Sequence, residues 1–225
     1  MQKYLAFIGF LFVCSIVYAA GSGKSKVIPF DFPDLKQEDV SKRYHKYGYY
    51  DRKNPAFRFE MVFPKDWMML KVKEPTAIPD NGVPVEIGAF HRYKTPNDQN
   101  SDILAGLYIS AARVPSDWSD AKAVEKVMEY LLKGNKFKIL KSQEYKLSNT
   151  TLKDILITYE IPQDKVYWAR FTGFKVKDET RTYFVGKKDI LYLLQLHTSE
   201  QHYKDFAAEA FYVAKMTMEL IPDKK

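Results

Sequence analysis

The chain has 225 residues, a formal charge of +7 and a single cysteine, Cys14, which sits inside an apolar N-terminal run. Beyond that run no thiol exists, so disulfides, thiolate nucleophiles, cysteine-ligated zinc and iron–sulfur clusters are excluded, and stability must come from packing. A basic surface favours acidic proteins, anionic lipid head groups or anionic polymers through long-range attraction.

Met1 to Lys3 form a short basic start, Tyr4 to Val17 are almost wholly apolar, and Val17-Tyr18-Ala19 supplies small residues of the A-x-A type. Residues 1–20 therefore read as a secretory signal peptide cut after Ala19 or Ala20. The competing reading is an uncleaved leader holding the protein on the inner membrane, but an easy span needs about twenty apolar residues, and this run is shorter and holds Gly9. Val13 before Cys14 replaces the small residue a lipoprotein site requires. Only Lys3 is charged in the leader, so cleavage takes the formal charge from +7 to +6. What remains suits one domain with a sizeable core, and a cysteine-free exported chain of this size fits a bacterial periplasm.

Residues 21–55 read as a basic, Tyr-rich N-terminal arm. Gly21-Ser22-Gly23 opens it, Pro29 and Pro33 punctuate it, and no apolar face is complete. An extended segment with a short helix near Gln37 to Tyr44 is expected. From residue 56 to 222 a single domain follows. Phe57, Phe59 and Met61 alternate with Arg58 and Glu60 as in a half-buried strand, and Pro64-Lys65-Asp66 turns the chain before Trp67. Strands are expected at Val83 to Tyr93 and Ile103 to Val114, with the polar loop Thr95 to Asp102 between them.

Ser119 caps a helix whose Val124, Val127, Met128, Leu131 and Leu132 share one face, and Gly134 stops it. The second half reads as an antiparallel meander: Lys136 to Lys146, Leu152 to Ile161, Val166 to Lys177, Arg181 to Val185 and Ile190 to Thr198. Asn149, Pro162-Gln163-Asp164, Lys177-Asp178-Glu179 and Gly186-Lys187-Lys188-Asp189 fit hairpin connections. Ser199 caps a last helix with Tyr203, Phe206, Ala207, Ala210, Phe211 and Ala214 at helical spacing.

Phe57-Arg58-Phe59-Glu60-Met61-Val62-Phe63-Pro64-Lys65-Asp66-Trp67 resembles the aromatic strand and "P-x-x-W" that open domains of the Mog1/PsbP-like group, which includes bacterial envelope proteins of the DcrB-like type. The strand with Ile87-Gly88-Ala89, the strand ending in Val114-Pro115, the helix closing at Gly134 and the final helix after Glu200 to Tyr203 are similar in order and spacing. The resemblance covers about residues 56 to 220. It implies an α+β fold, an antiparallel β-sheet flanked by two helices, and binding or assembly rather than catalysis; the extended N-terminal arm lies outside it. The group has no shared catalytic motif, so it assigns no functional residue here.

The residues themselves offer little chemistry. His197 and His202 lie five apart, whereas two ligands on one helical face need three or four, so no metal or cofactor is expected. Ser110 and Ser116 stand near a strand end without a nucleophile motif, and turn or capping chemistry accounts for Ser116. Glu125 and Glu129 share a helical face with Lys122, Lys126 and Lys133 and read as surface ion pairs. Gly21-Ser22-Gly23-Lys24 is a linker, because no strand or helix frames it.

The arm is the better candidate. Tyr and Arg are enriched at interfaces, so Tyr44, Tyr47, Tyr49, Tyr50 and Arg52 are expected to dock a partner, against the alternative that the rings fold back on the domain's own sheet. The expected function is a non-enzymatic binding or scaffold protein, a periplasmic accessory of an envelope assembly such as a secretion apparatus. Its expected partner is an envelope protein with an acidic surface, with peripheral membrane contact open and no nucleic acid. On this reading, removal of residues 24–55 leaves the core folded and abolishes partner capture. The alternative function is a periplasmic small-ligand or lipid-binding protein, with a pocket between sheet and helix lined by Phe171, Phe174, Tyr183 or Tyr192.

Overall fold

Long apolar-rich runs bounded by turn residues build antiparallel strands across most of the described chain, and the central ones are buried on both faces. The computed structural model describes residues 31–32, 34–49, 59–70, 72, 78–79, 81–147, 150–161, 165–177 and 188–220. Helix α1 (Gln37–Arg43) leads into β1 (Tyr44–Tyr49), followed by β2 (Phe59–Pro64), β3 (Met68–Leu70), β4 (Val85–Tyr93) and β5 (Ile103–Pro115). Helix α2 (Asp120–Leu131) then precedes β6 (Phe137–Leu147), β7 (Thr150–Ile161), β8 (Lys165–Lys177) and β9 (Lys188–Thr198). The C-terminal helical segment starts as α3 (Glu200–His202), widens into a π-helical turn at Tyr203–Ala207 and continues as α4 (Ala208–Thr217) before the short β10 (Glu219–Leu220).

Seven strands form one antiparallel sheet in the order β3-β4-β5-β9-β8-β7-β6. Helix α2 carries the chain from β5, near the middle, to β6 at the far edge, and the meander then folds back until β9 pairs with β5. The expected strand at Arg181 to Val185 lies outside the described residues. Both expected caps form: the Ser119 hydroxyl accepts from the Lys122 amide and the Ser199 hydroxyl from the His202 amide, each satisfying a donor that the first helical turn leaves unpaired. Gly134 takes φ 89°, the left-handed stop that a side chain would strain.

Part of the arm is not separate from the domain. β1 pairs along its length with β2, from Tyr44 opposite Pro64 to Tyr49 opposite Phe59, and β10 pairs on the other side of β2 to complete a three-stranded sheet. Tyr44 and Tyr47, an odd number of positions apart, point to opposite faces of this small sheet. No single-face alternation therefore marked the strand in the sequence.

The large sheet is covered on both sides. Helix α2 lays Ala123, Val124, Val127 and Met128 on Val114, Ile155, Ile157, Phe171, Leu191 and Leu193. On the other face the small sheet and the C-terminal segment bury Met61, Phe63, Trp67, Tyr203 and Phe211 against Phe90, Leu107, Leu156 and Leu194. Each fully buried Val, Leu, Ile, Phe or Met side chain among these contributes about 1.5–3 kcal/mol on leaving water.

One charged cluster lies inside that second interface. Arg170 on β8 and Asp154 on β7 are both fully buried, and Arg170 Nε and Nη2 donate to the two carboxylate oxygens at 2.8 and 2.7 Å. Lys215 of α4 donates to the same carboxylate at 2.8 Å, and Tyr203 Oη lies 3.4 Å from Arg170 Nη1. Asp31 stands 3.8 Å from Lys215 Nζ and accepts a 2.6 Å hydrogen bond from the Tyr145 hydroxyl. Burial alone would raise the Asp154 carboxyl, but the charges and hydrogen bonds of Arg170 and Lys215 overcome it and hold the group below its ordinary value.

Asp154→Asn would leave two buried cations facing a neutral amide, and a loss of about 3–5 kcal/mol is expected in urea unfolding followed by circular dichroism. The folded carboxyl titrates below the unfolded one, so its contribution is complete above about pH 4 and fades as pH falls through the lowered folded value. The acid limb of the stability curve should accordingly be shallower in the Asn variant. A loss under about 1 kcal/mol, the scale of an exposed pair, would contradict this role.

Candidate functional site

A cleft of about 350 Å³ opens where the end of α1, the β2–β3 turn and the C-terminal segment meet. Lys42, Arg43, Lys65 and Arg92 line it together with Asp66, Asp205 and Glu209, and Trp67 and Phe206 supply apolar surface. Local structure sets each wall. Lys65 accounts for carbonyls that the end of α1 leaves open: its amide donates to the Arg43 carbonyl at 2.9 Å and its Nζ to the Lys42 carbonyl at 2.9 Å. Arg92 on β4 reaches the Asp66 carboxylate at 3.1 Å and the Asp66 carbonyl at 3.2 Å. The π-helical turn brings Asp205 and Phe206 to the opposite wall, and the Phe206 ring meets Trp67 edge-on at 6.3 Å. Such turns break the regular side-chain spacing of a helix and recur at functional sites.

Glu209 is the anchor of this region. Its Oε1 accepts from Arg43 Nη1 and from the Tyr44 hydroxyl, both at 2.7 Å. Burial, followed by the hydrogen bond and charge of Glu209, pushes the Tyr44 phenol far above its ordinary value. Tyr44 is therefore a fixed neutral donor.

Of the expected docking residues, Tyr44 is buried and spends its hydroxyl on Glu209, while Tyr47 is half-buried with its ring edge-on to Phe90 at 5.2 Å. Tyr49 lies within β1, and Tyr50 and Arg52 fall outside the described residues. The rings of Tyr44 and Tyr47 belong to the fold. Removing residues 24–55 would thus take away a strand and two core rings, and the expectation that the core survives that deletion is corrected. The accessible charges beside them, Lys42, Arg43 and Lys65, carried no sequence signal beyond a basic run, because only folding gathers them around Trp67.

Among the described residues, those of the expected ligand pocket are split between the two faces of the sheet. Phe171 is fully buried beneath α2, whereas Phe174 stacks on Tyr192 at 6.0 Å on the opposite face. Three positions separate the two phenylalanines, and strand residues an odd number apart cannot share a face. Tyr183 lies outside the described residues.

The remaining candidates have structural partners. Ser116 donates to Asp189 at 2.9 Å beside Lys175, Ser110 accepts from the Gln195 amide at 2.7 Å, Lys126 pairs with Glu129 at 2.7 Å, and Glu125 meets Lys153 at 3.3 Å. No group of three metal-ligating side chains occurs among the described residues. His197 and His202 face apart: His202 packs on Phe206, while His197 joins a row of rings on the α2 face. In that row His91 Nε2 lies 2.9 Å from Tyr108 Oη, and Tyr159 Oη lies 3.0 Å from His197 Nδ1. Tyr108 lies flat over Gly106, where an added Cβ would come within 2.6 Å of its hydroxyl.

No family model matches the chain, and no curated protein matches it. Among solved structures, the solution structure of cyanobacterial PsbP (CyanoP) from Synechocystis superposes with a TM-score of 0.50 at 13% identity, covering 90% of this chain and 98% of that one. The chain has the Mog1/PsbP-like fold. The crystal structure of the Ran-binding protein Mog1p from Saccharomyces cerevisiae aligns at a TM-score of 0.45 and 12% identity, over 79% of this chain and 95% of that one. In this Mog1/PsbP-like domain the cleft lies between the N-terminal elements and the C-terminal helical segment. Among the described residues no helix is long and apolar enough to cross a membrane.

Burial lowers the His197 imidazole to about 4, so it is neutral in the folded protein at pH 7. The unfolded side chain titrates near 6.5, so folding excludes a proton and stability should fall as pH drops from about 6.5 towards 4. An NMR titration of the imidazole carbons is expected to place the His197 midpoint near 4; a midpoint above about 6, the range of a solvated imidazole, would contradict its enclosure.

Proposed function

We propose that this protein is a non-enzymatic binding component of the cell envelope, exported by its apolar leader, which docks an acidic protein partner. The observation that carries the reading is the cleft: four cationic side chains against three carboxylates, set around Trp67 and Phe206 in a chain of net positive charge. Arginine and aromatic rings are the residue types that concentrate at interface centres. Arg43 and Arg92 are already held by Glu209 and Asp66, so little side-chain freedom remains to be lost on binding. Net positive charge speeds the approach of an acidic surface, and the half-buried Phe206 ring, backed by the buried Trp67, is covered once the partner arrives.

The test is capture of the tagged full chain from its own gently solubilised envelope, compared with Lys42→Glu/Lys65→Glu. Both side chains are exposed, and a thermal melt confirms that the variant folds. The expected result is a stoichiometric partner whose yield drops about tenfold in the variant and falls with added salt. Equal capture by the two proteins would overturn the assignment to the cleft.

A further inference from the structure

The two edges of the large sheet are built differently. β3 presents three residues and β6 presents eleven. Among the described residues no strand pairs with the outer side of β6, so the peptide groups not directed at β7 face outward as a template for another strand. Phe137 and Ile139 on this strand are 39% and 50% exposed. Lys136, Lys138 and Lys141 are exposed alongside them. Glu144, the only carboxylate of β6, is met by Lys153 of β7 at 3.3 Å.

Charge selects the occupant. A second copy pairing antiparallel through β6 would set lysines near lysines, and like charges across a strand pair are destabilising. The chain's own residues 21–30 carry Lys24 and Lys26 and no carboxylate, so they repel the same edge. A bulge between Ile139 and Lys141 twists the strand, a further guard against indiscriminate pairing. An acidic strand meets no such charge repulsion, and the bulge leaves the run from Lys141 onward as the regular part of the edge.

We propose that the outer edge of β6 receives an extended acidic segment of a partner protein, which adds to the sheet as an eighth strand. Main-chain hydrogen bonds supply the affinity and carboxylates opposite Lys136, Lys138 and Lys141 supply the selectivity. This surface goes beyond the cleft and is separate from it. β4, which carries Arg92, lies five strand positions from β6, roughly 25 Å at the usual strand spacing. One molecule would thereby hold partners at both sides of its sheet.

The test is amide hydrogen exchange on the chain from residue 21 onward, with and without a short synthetic peptide alternating Glu with Val and Thr, and with a matched peptide carrying Gln in place of Glu. The Glu peptide is expected to slow exchange of the outward amides of β6 by about tenfold or more, and the Gln peptide to leave them unchanged. Lys138→Glu/Lys141→Glu should abolish the effect, while Lys94→Glu/Lys122→Glu, with the same change of charge elsewhere, should keep it. No slowing, or equal slowing by both peptides, overturns the proposal. So does protection without peptide that disappears on dilution or on deletion of residues 21–30, since a second copy or the chain's own segment would then occupy the edge. No envelope partner enters this measurement, so failure of the cleft assignment leaves its outcome readable.

Discussion

The Asp154 carboxylate is the point on which the arrangement turns. Arg170 beside it fixes how β7 lies against β8, Lys215 draws in α4, and Asp31 extends the network to the start of the described chain. Isolated surface ion pairs are worth about 0–1 kcal/mol, whereas unpairing a buried one costs about 3–5 kcal/mol. The cluster therefore penalises any displacement of the C-terminal helix that would part Lys215 from the sheet. An apolar set of equal volume would stabilise the core as well by area, but it would not single out one position of α4 along its own axis.

The consequences reach the surface. With α4 held, Glu209 is held, and Glu209 in turn binds Arg43 and Tyr44 of the N-terminal elements. The cleft walls are thus positioned by a chain of contacts running from a buried carboxylate to an exposed guanidinium. The opposite face of the sheet is closed by the aliphatic side chains of α2, and the β6 edge lies five strand positions from the strand that carries Arg92. Rigid joints and cationic borders are what a docking module needs, because side chains already in place lose less entropy on binding.

Much of the fold was legible in the sequence because local chemistry and global packing agree. Ser119, Ser199 and Gly134 mark helix ends through hydrogen bonds and backbone freedom that each residue supplies by itself, and the meander strands announce themselves as apolar-rich runs between turn residues. β1 did not, since Tyr44 and Tyr47 serve opposite faces and its order comes from β2 rather than from its own pattern. Asp154 and Arg170 carry no local signal that sets them apart from the other charges of β7 and β8, and the pairing of Asp154 with Lys215 needs a contact across 61 residues that no local period encodes. The same limit applies to the cleft, whose cations come from α1, the β2–β3 turn and β4. Phe171 and Phe174 are alike in residue type, and strand parity alone sets them on opposite faces.

The central claim is that a partner docks at the cleft between α1 and the C-terminal helical segment, and site-specific photo-crosslinking in the native envelope tests it most directly. A photoreactive side chain at Lys42, on the cleft border, is compared with one at Lys122 on the outer side of α2. The account predicts one discrete adduct from position 42, shared by no adduct from position 122 and weakened by salt. The same adducts from both positions, or none from position 42, would contradict it.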